Sequence, residues 1–156
     1  MNKTNVMRLL DAAKIPYRTA EYEFDESDLG GMHAAAAIGM PPEQIFKTLV
    51  ARGEKNGYLV FCIPVCCELD LKKAAKAAHD KKVELIHVKE LLPLTGYVRG
   101  GCSPIGMKKA FPTFLDETAQ FYDEIGVSAD CRGCQILLAP DALINYVNSS
   151  LCDLTE

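Results

Sequence analysis

The residues best suited to chemistry in this chain are a run of small side chains and one lysine. The run is Gly96-Tyr-Val-Arg-Gly-Gly-Cys-Ser-Pro-Ile-Gly-Met-Lys-Lys109. Glycine lets the main chain approach a ligand with no side chain between them. Main-chain N–H groups brought that close can stabilise negative charge developing on a carbonyl oxygen. The lysine is Lys47, which opens the apolar run Lys-Thr-Leu-Val-Ala directly after Ile45-Phe46. A lysine so placed either snorkels along an edge or holds its charge at the lip of a pocket, and the pattern alone does not choose between these.

Other reactive side chains make weaker patterns. Cys131-Arg-Gly-Cys134 has the spacing of half a zinc site or of a redox pair. Zinc needs two further ligands, and no second pair at matching spacing exists. A redox pair favours a helix N-terminus, where the thiolate is stabilised, whereas this pair leads into a strand-like run, 135–139. Cys66 and Cys67 are adjacent, and His33, His79 and His87 stand alone. We therefore expect no metal and no cofactor. Cys102 can be drawn as a nucleophile with His79 or His87 as its base, but a small side chain in the core is the favoured reading. Ser103 lacks a Gly-x-Ser-x-Gly elbow. Phosphate loops and dinucleotide fingerprints are absent, which argues against kinases, NTPases and dehydrogenases.

The elements that must position these residues follow from periodicity. Val6, Leu9, Leu10 and Ala13 share a helical face, with Thr4 or Asn5 as cap and Pro16 as stop. Residues 17–24 read as a strand and 25–31 as an acidic loop. Residues 33–38 form a short helix closed by Gly39, and Pro41-Pro42 start another through Phe46. Runs 47–52 and 58–64 are strands around a hairpin loop, 53–57. Asp70 caps a helix to about Ala78 with Leu71, Ala74, Ala75 and Ala78 inward. Residues 83–88 are a strand and 89–92 a short helix before Pro93. Strands near 113–115, 124–128 and 135–139 precede a closing helix, 141–147. Interspersed strands and helices with a hairpin favour a mixed sheet or partly closed barrel over a parallel sheet.

Composition sets the outer limits. The chain has 156 residues, 49% of them hydrophobic, with seven cysteines and a net charge of −4. That length fits one domain, residues 1–156. No apolar run approaches the ~20 residues of a membrane span, and the first residues lack a signal-peptide core. We expect a soluble, cytoplasmic protein with no membrane partner. An odd number of irregularly spaced cysteines points to buried thiols rather than a disulfide framework. The acidic balance argues against a broad basic face on nucleic acid, though not against contact with a few phosphates.

Taken together, Phe46-Lys-Thr-Leu-Val50, Leu69-Asp-Leu-Lys-Lys-Ala-Ala-Lys76, Thr95 to Gly106, Val127-Ser128 and Arg132-Gly133 resemble the YbaK/EbsC family. This family comprises aminoacyl-tRNA deacylases related to the editing domain inserted in bacterial prolyl-tRNA synthetases. The likeness runs in order from the first helix to the last, and the loop from Gly100 to Gly106 is its most specific part. It implies an α+β fold, a mixed and partly open barrel-like sheet surrounded by helices. It implies hydrolysis of an amino acid wrongly attached to tRNA, and within the family it is most similar to the Cys-tRNA(Pro)/Cys-tRNA(Cys) branch. There the thiol of the bound cysteine attacks its own carbonyl, so no enzyme nucleophile is needed. By the same resemblance Lys47 is the essential lysine, Gly100 and Pro104 frame the loop, and Tyr22, Thr48, Gly101, Ser103 and Ser128 are pocket positions. The implied partners are the acceptor end of mischarged tRNA(Pro) and prolyl-tRNA synthetase; nothing in the sequence sets an oligomeric state.

The match has departures. Cys102 and Arg99 stand where aliphatic or apolar residues are common, Gln135 where some members are acidic, and Asp130 where glycine is expected. They leave open whether cysteine, alanine or another small amino acid is removed. A non-catalytic module binding an RNA end or the synthetase also stays open.

Overall fold

The structure, a computed structural model, describes residues 2–156. Helix α1, Asn5–Ala12, begins at Thr4, whose hydroxyl accepts the Met7 N–H at 3.3 Å. Its buried face is Val6, Met7 and Leu10. Strand β1, Arg18–Glu21, is shorter than the run 17–24 that reads as a strand, and Tyr22 lies just past its end. Helix α2, Gly31–Ile38, ends on Gly39 in the left-handed region, φ 72°, where glycine is the unstrained residue. The helix expected from Pro41-Pro42 through Phe46 is a single 3-10 turn, Pro42–Gln44. Phe46 instead opens β2, Phe46–Gly53, and is buried there.

A hairpin joins β2 to β3, Gly57–Pro64, with Lys47 opposite Ile63. Asp70 caps α3, Leu71–Ala77, by accepting the Lys72 and Lys73 N–H groups at 3.0 and 3.1 Å. Leu71, expected to point inward, is 42% exposed, while Ala74, Ala75 and Ala78 face the core as expected. Strand β4 is Val83–Leu85 rather than 83–88. His87 then caps α4, Val88–Thr95, with the Glu90 carboxylate accepting the His87 N–H at 2.8 Å. Helix α4 runs through Pro93 instead of stopping before it, and closes at Gly96, φ 85°. The remaining elements are β5, Thr113–Asp116; a 3-10 turn, Glu117–Phe121; β6, Ile125–Ser128; β7, Cys134–Leu138; α5, Pro140–Val147; and β8, Ser150–Cys152. The sequence reading missed β8, a short run whose pairing with β5 is its only strand signal.

The strands form two sheets. One has the order β1-β7-β6 and the other β4-β2-β3-β5-β8. The first is antiparallel; in the second β3–β5 and β5–β8 are parallel, so the sheet is mixed. A bridge between Ile45 and Gly126 ties the sheets together without closing them. This is the α+β, partly open arrangement expected. Between the sheets lies the main core, with Phe46, Val50, Val60, Ile105, Val127 and Ile136 packed against α1 and α5. On the other face of the larger sheet Leu59, Phe61 and Ile63 pack on α3. Each such fully buried side chain contributes about 1.5–3 kcal/mol by leaving water. No helix among the described residues is long and apolar enough to cross a membrane.

Candidate active site

A cavity of about 380 Å³ opens where the start of α2, the start of β2, the glycine run and the facing ends of β6 and β7 meet. Of the residues singled out in the sequence, Tyr22, Lys47, Thr48, Gly100 and Ser128 line it together. Gly101, Ser103 and Pro104 do not. Ser103 is fully buried, and its hydroxyl accepts the Ile105 N–H at 3.3 Å, so it shapes the loop from within. Pro104 is buried beside it. At Gly101 an added Cβ would lie 3.3 Å from the Cys131 Cα and carbonyl carbon. That glycine is small because two stretches of main chain pack there.

The glycine run has a defined geometry. Gly100 has φ 87°, and a Cβ on it would meet the Leu29 Cβ at 3.3 Å. The Gly101 N–H is already donated to the Val98 carbonyl at 3.0 Å. Among the described residues, the Gly100 and Cys102 N–H groups donate to no main-chain carbonyl, and both residues line the cavity. They are main-chain donors available to a ligand. The Arg132 Nε–H holds the run in place by donating to the Arg99 carbonyl at 2.9 Å. Asp130, in the same turn, takes φ 81°, the conformation that glycine would adopt without strain.

Lys47 is half-buried at the start of β2. The ion pairs among the described residues lie elsewhere, so Lys47 lines the cavity without a carboxylate partner. Tyr22 is fixed by its N–H, which donates to the Gly133 carbonyl at 2.9 Å, and by an edge contact of its ring with His33 at 6.4 Å. Ser128 and Gln135 face each other across β6 and β7, and directly opposed residues project to the same face of a sheet. They are 8% and 6% exposed, and neither the Ser128 Oγ nor the Gln135 Oε1 has a hydrogen-bond partner in the protein. Such groups are uncommon, because an unmet buried acceptor costs about 1–3 kcal/mol. Gln135 was noted in the sequence only as a departure from the family pattern. Its pairing with Ser128 needs the strand register to be seen.

The thiols are poorly suited to catalysis. Cys102 lines the cavity rather than the core, and burial pushes its thiol up to about 12. Burial likewise raises Cys131, with Asp130 adding to it, and pushes Cys134 up to about 11. Thiols held protonated at neutral pH are weak nucleophiles and weak redox partners. Cys134 begins β7 with its side chain in the core, not at a helix N-terminus. His79 lies beyond α3, away from the cavity. Among the described residues no group of three or more His, Cys, Asp or Glu side chains is placed to hold a metal ion.

Residues 32–146 match the model of a family described as "Aminoacyl-tRNA editing domain". A relative from Enterococcus faecalis (strain ATCC 700802 / V583), named "Putative Cys-tRNA(Pro)/Cys-tRNA(Cys) deacylase EbsC", is 50% identical over 98% of this chain and 93% of its own. A crystal structure described as "a putative trans-editing enzyme for prolyl tRNA synthetase" superposes with TM-score 0.82 at 26% identity, over 100% of this chain and 99% of that one. The structure of a hypothetical protein superposes with TM-score 0.88 over 98% of this chain and 100% of that one; at 20% identity it speaks to the fold alone.

Proposed function

Because the chain belongs to the YbaK/EbsC family of aminoacyl-tRNA editing domains and is an aminoacyl-tRNA deacylase, we propose that its substrate is cysteine esterified to tRNA(Pro). The cavity takes the aminoacyl group. The α-ammonium faces Ser128 and Gln135; rotation of the Gln135 amide about its last, soft bond presents its oxygen. The ester carbonyl oxygen points to the Gly100 and Cys102 N–H groups. Lys47 places its charge beside that oxygen or the adjoining phosphate.

The reaction needs no nucleophile from the enzyme. The thiol of the bound cysteine attacks its own carbonyl carbon, forming a carbon–sulfur bond. The bond from that carbon to the ribose oxygen then breaks. The thiol proton ends on the ribose oxygen, and the released thiolactone is opened by water. The enzyme's share is to hold the thiol against the carbonyl and to stabilise the oxyanion.

The observation that carries this reading is a single cavity holding a carboxylate-free lysine, two unclaimed main-chain donors and an unpartnered Ser–Gln pair. Its thiol is held protonated by burial. The net charge of −4 fits a protein that holds only the acceptor end, with prolyl-tRNA synthetase supplying the rest of the tRNA grip. Deacylation of Cys-, S-methyl-Cys- and Ala-tRNA(Pro) by the purified protein tests the proposal. Cys-tRNA(Pro) is deacylated, the S-methyl ester is not, and Lys47→Ala lowers kcat/KM about a hundredfold or more. Equal release of all three esters refutes substrate assistance, faster release of alanine replaces cysteine as substrate, and no release at all leaves a binding module.

A further inference from the structure

A second recess of about 250 Å³ adjoins the first and shares Thr48, Leu49, Arg99, Gly100 and Cys102 with it. Its own walls come from β4 and the first turn of α4, chiefly Leu85, His87, Val88 and Leu91. Val88 is 62% and Leu85 49% exposed, so the rim is apolar surface turned to solvent. Arg99, also exposed, stands where the two hollows meet.

We propose that this recess binds the adenosine at the 3′ end of the tRNA. The inference rests on the first cavity being the acyl site. Acyl group and ribose are joined by one ester, so with the carbonyl at Gly100 the nucleoside must leave through a hollow that touches Gly100. The recess does so, and its volume falls just below the ~300–1,000 Å³ that holds drug-sized ligands, which suits one nucleoside. Aliphatic walls take the faces of a base, the His87 ring offers a hydrogen-bonding partner to its edge, and Arg99 offers a cation to the 5′ phosphate. An apolar protein segment would gain little from that cation. A polynucleotide track would require more positive charge than these walls carry.

Adenosine 5′-monophosphate is the probe. Titrated at millimolar concentration into ¹⁵N-labelled protein, it shifts the amide signals of residues 85–91 and 99–102 and leaves those of the hairpin at 53–57 unchanged. Val88→Glu introduces a carboxylate at the rim. The protein still folds, because an acid at the first position of a helix is favourable. The variant weakens the AMP shifts and raises KM for Cys-tRNA(Pro) about tenfold, the scale of one lost apolar side-chain contact, with kcat little changed; Val88→Ile restores both. Shifts elsewhere, no shifts, or an unaltered KM in Val88→Glu overturn the inference even when Cys-tRNA(Pro) is deacylated. AMP seated in the recess of a protein that deacylates nothing sinks the proposed reaction instead and leaves the nucleotide site standing.

Discussion

Replacing Gly100 by alanine separates two roles that the glycine run combines, provided that Gly96→Ala is made beside it. The two glycines have φ of 87° and 85°. In this left-handed region an L-residue with a Cβ costs about 1–2 kcal/mol. The new methyl at 100 lies 3.3 Å from the Leu29 Cβ, and that at 96 lies 3.2 Å from the Lys108 Cγ, on a side chain that can swing away. For a chain of 156 residues each kcal/mol lowers Tm by about 3 °C. Both variants should therefore lose about 3–6 °C in a circular-dichroism melt and stay folded at 25 °C. Their activities should part. Gly96 closes α4 and does not line the cavity, so Gly96→Ala keeps the parental kcat/KM. In Gly100→Ala the displaced loop moves the Gly100 and Cys102 N–H groups off the carbonyl oxygen, and loss of one oxyanion donor costs about 10²–10³ in rate. If both variants lose activity in step with Tm, or Gly100→Ala melts lower yet deacylates normally, main-chain donors at this loop do not drive ester cleavage.

Three further outcomes follow from the same geometry. Gln135→Met removes an acceptor with no protein partner, so it should raise Tm by about 3 °C. It should also lower kcat/KM on Cys-tRNA(Pro) about tenfold or more, the worth of a hydrogen bond to a charged group; a fall in both would make Gln135 structural. Asp130→Gly relieves a φ of 81° and should raise Tm by a few degrees, about 1 kcal/mol, in the same melt; an unchanged or lower Tm refutes strain at that turn. The Cys134 thiol is raised from 9.0 to about 11 when folded. The folded state holds that proton more tightly, so the associated stability is intact below pH 9 and is lost as pH rises toward 11. Urea midpoints across this window should fall less steeply in Cys134→Ala than in the parent.

Much of the scaffold was legible because its signals are local. Thr4 and Asp70 cap helices as their side chains dictate, Gly39 ends α2, and two apolar runs on either side of the loop 53–57 mark the β2–β3 hairpin. The misreadings fall where tertiary pairing outweighs local preference. Phe46 joins a strand because the core and β3 claim it. Leu71 faces solvent because the cap at Asp70 fixes the phase of α3, and its three alanines already fill the space. Lys47, Gly100 and Ser128 were visible as residue types, yet their convergence depends on two distant strands and a loop. The sequence could not reveal that the Gly101 N–H is spent on Val98, or that Gln135 stands opposite Ser128. Both facts change which atoms are free to touch a substrate.

The tie between the two sheets has a consequence for substrate choice. Lys47 and Thr48 belong to one sheet, Ser128 and Gln135 to the other, and the bridge from Ile45 to Gly126 joins them. Gly126 permits this closeness, since a Cβ there would come within 2.5 Å of the Ile45 Cδ1. The cavity proposed for the acyl group is thus a caliper whose jaws sit on separate hydrogen-bonded ladders, with Gly126 as the stop. Packing changes far from the chamber that shear one ladder against the other reset the gap. Preference for a larger or smaller amino acid can therefore drift in this lineage while every side chain in the chamber stays the same.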